Sequence, residues 1–94
     1  MKQKSLIQDM RACADLFYQN QEQKAYEALA EVLAPTNKVL QELAMILKGE
    51  DQKRIIALIR ELLEAYRCRD HLALSDILYY HIPEELEEHW HGNT

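Results

Sequence analysis

The segment EQKAYEALAEVLAPTNKVLQELAMILK, residues 22–48, decides the fold of this chain. Its larger side chains recur at alternating steps of three and four residues, which is the spacing of one face of an α-helix. The positions that keep this spacing are Tyr26, Leu29, Leu33, Thr36, Leu40, Leu43 and Leu47. The segment therefore predicts a long amphipathic helix over residues 22–48.

Pro35 lies in the middle of this helix. A proline inside a helix removes one backbone hydrogen bond and normally bends or breaks the helix. Because the apolar spacing keeps the same phase on both sides of Pro35, we favour one kinked helix over two separate helices. Gly49 follows the last periodic leucine and is expected to end the helix.

The segments on either side carry the same periodicity, and we expect further helices over residues 5–19, 51–67 and 70–91. Their predicted apolar faces comprise Leu6, Met10, Cys13 and Phe17 in the first, Ile55, Ile59, Leu62 and Tyr66 in the next, and Leu74, Ile77, Leu78 and Ile82 in the last.

The ends of these helices carry recognisable signals. Ser5 and Asp51 are of the residue types that cap helix N-termini, and Asn20 tolerates the left-handed conformation that often ends a helix. Pro83 is followed directly by two glutamates, a pattern typical of a new helix start. We therefore expect the last helix to be kinked or broken near Pro83.

The connections between the four predicted helices are short, which forces neighbouring helices to run antiparallel. The predicted fold is all-α: an antiparallel up-down four-helix bundle in one domain that covers residues 1–94. The second helix is much longer than the first. Part of its apolar face stays uncovered unless the terminal helix or a partner chain covers it.

The charge distribution bears on the class of partner. The chain carries a formal net charge of −5, all eleven Lys and Arg residues precede residue 70, and six acidic residues follow from Asp70 onward. An acidic terminal quarter repels phosphate groups, so we expect neither nucleic acid nor an anionic membrane as a partner. No apolar run is long enough for a signal peptide or a membrane span, so the expected location is the cytoplasm.

Little in the sequence is typical of catalysis. Cys13 and Cys68 are too isolated for a disulfide framework or a zinc cluster, and neither lies in a motif for nucleophilic catalysis. The two glycines, Gly49 and Gly92, do not form a phosphate-binding loop. We expect the chain not to be an enzyme and to need no cofactor.

One alternative function is metal binding. His81, Glu85 and His89 follow one another at steps of four, so an unbroken helix would place all three on one face. Histidine and glutamate are common metal ligands, although the established helical metal motifs are absent from this sequence. These three residues are the candidate ligands.

The surplus apolar face of the second helix and the aromatic C-terminal end favour a non-enzymatic interaction module. Such an adaptor, chaperone or regulator would bind protein by helix packing. The candidate contact residues are Tyr26, Val39, Tyr79 and Trp90, because aromatic side chains are enriched in binding hot spots. A purely structural homodimer would use the same apolar stripe and stays open as an alternative.

The C-terminal quarter resembles the end of a group of small, uncharacterised all-helical bacterial proteins. The residues that carry the likeness are Arg69, Asp70, Leu74, Asp76, Leu78, Tyr80, Pro83, Leu86 and Trp90. In that group the tail reads roughly D-x-x-x-L-x-D-x-L-x-Y-x-x-P-x-L-x-x-W. The resemblance implies a helical fold but no activity. In architecture alone, the chain is also similar to the small acidic chaperones of bacterial export systems.

Overall fold

In the computed structural model, which describes the backbone of residues 2–90 and the side chains of residues 5–89, the chain is helical almost throughout. The helices are α1 (Lys2–Tyr18), α2 (Glu22–Ile46), α3 (Gly49–Arg67), α4 (His71–Asp76) and α5 (Ile82–Trp90), and a π-helical turn (Ile77–His81) joins α4 to α5. No strand occurs within residues 2–90. The all-α class is confirmed.

The helices pack side by side as a bundle. α1 packs against both α2 and α4, α2 packs against α3, and α3 packs against α4 and the π-helical turn. The buried core that they share is almost entirely aliphatic, with Phe17 as its one aromatic ring among the described residues. No described helix has the length and apolar character needed to cross a membrane.

α2 runs through Pro35 without interruption, so the segment forms one helix and not two. It ends at Ile46, two residues earlier than expected. Leu47 has an extended backbone and packs against the core. Gly49 has a φ of 64° and begins α3, so the expectation that it ends the preceding helix is wrong.

The first helix was expected to be too short to cover the second half of α2. The leucines in that half are nevertheless buried within the chain. Leu40 and Leu43 belong to the core, whereas Met45 and Ile46 at the end of α2 are exposed. The predicted surplus of apolar surface on α2 is therefore confined to its last residues.

Two of the expected N-caps are wrong. α1 begins at Lys2, so Ser5 lies inside the helix. α3 begins at Gly49 with Lys48 at the cap position, so Asp51 lies within the first turn, where its charge favours the positive end of the helix dipole.

The turn between α1 and α2 follows its sequence signal. Asn20 has a φ of 62°, as predicted for a left-handed residue at a helix end. The Gln21 N–H donates to the carbonyl of Leu16 at 2.9 Å, and the Asn20 N–H donates to that of Phe17 at 3.0 Å. These two bonds satisfy carbonyl groups in the last turn of α1.

The turn between α3 and α4 has the same geometry with a different residue type. Arg69 has a φ of 54°, and the N–H of Asp70 donates to the carbonyl of Ala65 at 2.9 Å. The carboxylate of Asp70 then caps α4 by accepting the N–H of Ala73 at 3.1 Å. Asp70, the predicted start of the last helix, is thus its N-cap.

The irregularity expected near Pro83 lies just before it. The N–H of Ile82 donates to the carbonyl of Ile77, five residues back, so the helix widens into a π-helical turn ahead of the proline. Pro83 then takes its place in the first turn of α5, where its missing N–H costs little.

The buried face of α3 differs from the predicted one. Ile55, Leu58, Leu62 and Ala65 are buried, whereas Ile59 is half-buried and Tyr66 is exposed. α3 lies between α2 and the C-terminal helices, and Arg54 pairs with Glu85 of α5 at 3.2 Å. The inward face of α3 is therefore rotated toward α4 and α5 relative to the expected one.

Candidate interaction surfaces

A row of apolar side chains lies on the outer side of α3. Ile56, Ile59, Leu63 and Tyr66 follow at steps of three, four and three, which places them on one helix face. Ile56, Leu63 and Tyr66 are 41%, 44% and 44% exposed. This row covers three turns of helix, and it is longer than the isolated apolar residues that are normal on protein surfaces.

The neighbouring side of α2 carries no charge. The Tyr26 and Tyr66 rings lie 6.4 Å apart at one end of the α2–α3 pair, and the Gln52 amide donates to the Ala44 carbonyl at 2.7 Å near the other end. By helical periodicity, the α2 residues on this side between Tyr26 and Ala44 are Ala30, Leu33, Ala34, Asn37 and Gln41. We call this side of α2, together with Ile56, Ile59, Leu63 and Tyr66, the apolar face. Depletion of charge is typical of the centre of a protein–protein interface.

Tyr26, one of the predicted contact residues, is held mainly by its own chain. Its ring lies edge-on to Phe17 at 5.1 Å and near His71 at 5.5 Å. The Arg69 guanidinium lies 4.2 Å from the ring centre and also pairs with Glu22 at 3.0 Å. Burial raises the pKa of the Tyr26 hydroxyl. The ring therefore joins α1, α2 and the α3–α4 turn at one end of the apolar face.

Two of the other predicted contact residues, Val39 and Tyr79, pack elsewhere in the chain. Val39 lies thirteen residues further along α2, about 20 Å away, and packs against the core. Tyr79 is half-buried beside Tyr18, with ring centres 6.2 Å apart. The side chain of Trp90 lies outside the described side chains.

Tyr80, the neighbour of Tyr79 in the π-helical turn, is exposed.

The candidate metal ligands do not form a three-ligand centre. Nε2 of His89 lies 3.4 Å from the Glu85 carboxylate, and that carboxylate also binds Arg54 at 3.2 Å. His81 lies instead at a groove on α3. Among the side chains of residues 5–89, no three from His, Cys, Asp and Glu are placed to hold a metal ion together.

A second surface is an open groove of about 770 Å³ between α3 and the α4–π-helical run. Its floor is made of small and aliphatic side chains, from Ala65, Ala73 and Ile77. Its rim carries the carboxylates of Glu61, Glu64, Asp70 and Asp76, together with Arg60, Cys68 and His81. We call it the acidic groove.

Three of the rim carboxylates have partners within the chain, and that of Asp70 is held by its cap on the Ala73 N–H. Glu64 accepts hydrogen bonds from Arg67 at 2.6 Å and from the Cys68 thiol at 3.3 Å, and the Arg67 bond lowers the pKa of Glu64. Asp76 accepts the hydroxyl of Tyr18 at 2.7 Å. Burial, together with this bond, raises the pKa of Tyr18.

Neither cysteine has the character of an activated nucleophile. Burial raises the pKa of Cys13 to about 11, and the hydrogen bond to Glu64 raises the pKa of Cys68. Both are therefore thiols at neutral pH, whereas the thiolate is the form that attacks.

The two surfaces thus differ in character: the apolar face is built from uncharged residues, and the acidic groove is lined by four acidic residues. Sequence periodicity pointed to neither surface as a unit. Comparison of the chain with protein-family models, with curated proteins and with solved structures finds no match.

Proposed function

We propose that this chain is a non-enzymatic protein–protein interaction module, an adaptor, chaperone or regulator, that binds its partner by helix packing on the apolar face. The row of Ile56, Ile59, Leu63 and Tyr66 carries this proposal. Leaving such side chains in water forfeits about 25 cal/mol for each Å² of apolar surface that a partner would cover.

The spacing of the row suits a helical partner. From Ile56 to Tyr66 it extends about 15 Å along α3, and the half-buried Leu33 of α2 lies beside it. A helix laid along the α2–α3 pair would insert its own side chains at i, i+3, i+4 and i+7 between those of the row. The uncharged side of α2 would leave no carboxylate or ammonium group to be buried without a partner.

The proposal includes the finer architecture on which this face depends: an antiparallel up-down order of the helices, a bend of α2 at Pro35 and a bend of the last helix near Pro83. The contacts of Tyr26 with Tyr66 and of Ala44 with Gln52 support opposite directions for α2 and α3. The likeness of the C-terminal tail to small bacterial proteins involves no residue of the α3 row, so the proposal does not rest on it.

Solution mass across a hundredfold range of concentration is the first test, by light scattering behind size exclusion. The unmodified chain is compared with Leu63→Glu in the apolar face and with Leu72→Glu as the matched control. Leu72 is even more exposed than Leu63 but lies on α4, outside the face. If the chain pairs with itself, Leu63→Glu should be monomeric while Leu72→Glu still associates.

If the unmodified chain is a monomer at every concentration, the same three proteins serve as baits for a partner protein. The proposal expects capture by the unmodified chain and by Leu72→Glu, and loss of capture with Leu63→Glu. Identical behaviour of all three proteins in both experiments would show that the apolar face does not bind protein.

A further inference from the structure

The acidic groove is a separate surface from the apolar face, and its chemistry selects a different occupant. We propose that it binds a cationic amphipathic helix: a segment with a narrow stripe of small apolar residues and Lys or Arg along both edges. The inference goes beyond the proposed function, because it concerns another side of α3 and another class of ligand.

The floor of the groove admits a helix at close range. Ala65 and Ala73 face it with single methyl groups, and Ile77 supplies aliphatic surface beside them. Small residues at a contact allow two helix axes to approach to the short end of the usual 8–10 Å. The volume of about 770 Å³ is in the range that buries several side chains of a ligand.

The rim fixes the sign of the occupant's charge. The acidic residues Glu61, Glu64, Asp70 and Asp76 line the groove, against the one guanidinium of Arg60 and the imidazole of His81 among its lining residues. Asp70 and Asp76 keep their negative charge, because their carboxylates accept from an amide N–H and a hydroxyl and not from a cation. The wall formed by α4, the π-helical turn and α5 cannot neutralise this charge itself, because no Lys or Arg occurs after residue 69.

The end of α3 adds to the negative potential. Glu61, Glu64 and Cys68 lie along its last two turns and its C-cap, where the helix dipole places partial negative charge. Arg67 offsets part of this charge through its bond to Glu64. Ammonium or guanidinium groups entering from outside would pair with the Glu61 carboxylate and with the free acceptor positions of the other three carboxylates, while anionic ligands would be repelled.

The test uses defined peptides on the full chain. One probe is a helical peptide of about 18 residues, roughly five turns, built from Leu, Ala and Lys with lysines on both sides of an apolar stripe. The second has Glu at every Lys position. Fluorescence anisotropy should show binding of the Lys peptide and none of the Glu peptide. Raising the salt from about 0.03 M to about 0.3 M should weaken binding at least tenfold, because screening shortens the reach of the rim charges.

Variants separate the groove from non-specific attraction to an acidic protein. Glu61→Lys should weaken binding of the Lys peptide by about fivefold or more. Glu42→Lys makes the same change of net charge at an exposed position of α2, outside the groove, and should change binding less than about twofold. Equal weakening by the two variants, or no binding of the Lys peptide to the unmodified chain, would overturn the proposal.

The floor and the apolar face supply the remaining controls. Ala73→Leu fills the groove and should weaken binding of the Lys peptide as Glu61→Lys does. Circular dichroism checks that the helices of this variant persist. If the variant unfolds, the result for Glu61→Lys decides the question. Leu63→Glu should leave peptide binding unchanged. Loss of binding with Leu63→Glu would place the peptide on the apolar face. That result would refute a site in the groove while supporting helix packing at the apolar face.

Discussion

At Tyr79 a backbone carbonyl accepts a hydrogen bond from Nε of Arg11 at 3.1 Å, across the interface of α1 with the π-helical turn. A proline four residues later supplies no N–H to that carbonyl, and the π-helical turn has already shifted the local pairing. Arg11 therefore supplies this carbonyl with a donor where an ordinary helix would use the N–H of residue 83, and its guanidinium also lies 5.4 Å from the centre of the Tyr79 ring.

Replacing Arg11 by Met should lower the free energy of unfolding by about 1–3 kcal/mol, because it leaves a partly buried carbonyl without its donor. The measurement is urea unfolding followed by circular dichroism. The control is Arg60→Met, an exposed arginine on α3, for which a change within about 0.5 kcal/mol is expected. Equal effects of the two changes would show that the Arg11 bond contributes nothing to stability.

The buried thiol of Cys13 should make the free energy of unfolding fall as the pH rises above 9. Its thiol is buried in the core and donates to the carbonyl of Ala25 at 3.4 Å, and burial raises its pKa from the ordinary 9.0 to about 11. The folded state therefore holds this proton more tightly than the unfolded chain does. The resulting contribution to stability is complete below pH 9 and is lost as the pH rises through 11.

We expect the unmodified chain to lose stability between pH 9 and pH 11 more steeply than Cys13→Ala, with an additional loss of about 2–3 kcal/mol at the upper limit. Urea unfolding at a series of pH values, with a reductant present, measures it. Tyr18 and Tyr26, whose pKa values are also raised, are present in both proteins, so their effect cancels in the comparison. Parallel pH profiles would contradict a protonated, buried thiol.

Residue type explains which local features could be predicted. Asn20 was recognisable as a left-handed residue, because its short polar side chain tolerates that conformation. Arg69 adopts the same conformation with no such signal, because there it is the surrounding turn that imposes it.

Among the elements, the turn between α3 and α4 contains Arg69, whose backbone conformation is strained and whose side chain makes stabilising contacts. A residue other than glycine in the left-handed region costs about 1 kcal/mol or more. The side chain of Arg69 offsets this cost with its pairing to Glu22 at 3.0 Å and its position 4.2 Å from the Tyr26 ring centre.

Arg69→Ala keeps the strained backbone and loses both contacts, so we expect it to destabilise by about 1–2 kcal/mol. Arg69→Gly loses the same contacts but removes the strain, and should be about 1 kcal/mol more stable than Arg69→Ala. Arg60, in the middle of α3, should show the reverse order, with Gly about 1 kcal/mol less stable than Ala. Thermal unfolding of the four variants compares these orders. The same order at both positions would mean that no strain is stored at Arg69.

The helices themselves could be predicted because they depend on local periodicity, and α2 follows its pattern from Glu22 through Pro35 to Ile46. The π-helical turn could not be predicted in this way. Its tyrosines and flanking isoleucines fit an ordinary helix as well, and the widening appears only where Arg11 meets the Tyr79 carbonyl.

For the whole molecule, the all-α class could be predicted from the sequence, whereas the surfaces could not. α3 carries two overlapping apolar patterns, one through Ile59 and Tyr66 and one through Leu58 and Ala65. Periodicity cannot choose between them, because the choice depends on which side α4 and α5 occupy. Because α4 and α5 pack on the side of Leu58 and Ala65, Ile59 and Tyr66 lie on the outer side of α3 as part of the apolar face. The acidic groove lies beside Ala65.

The two surfaces lie on opposite sides of α3, and this placement makes their independence testable. Glu61 and Leu63 are two residues apart, so they point in directions that differ by about 160° on an ideal helix. Substitutions that share no partner usually add, to within about 0.5 kcal/mol. We therefore expect the double variant Glu61→Lys, Leu63→Glu to bind the Lys peptide no more weakly than the single variant Glu61→Lys does. It should also lose helix-packing association to the same extent as Leu63→Glu alone.

Anisotropy titrations and light scattering on the four proteins of this cycle provide both measurements. Saturating the unmodified chain with the Lys peptide should likewise leave its solution mass unchanged apart from the mass of the peptide. A peptide that displaced the partner at the apolar face, or a coupling energy well above 0.5 kcal/mol in the cycle, would mean that α3 transmits changes between its two sides. Additivity instead would describe a module whose central helix can hold two partners at once, one by apolar packing and one by charge.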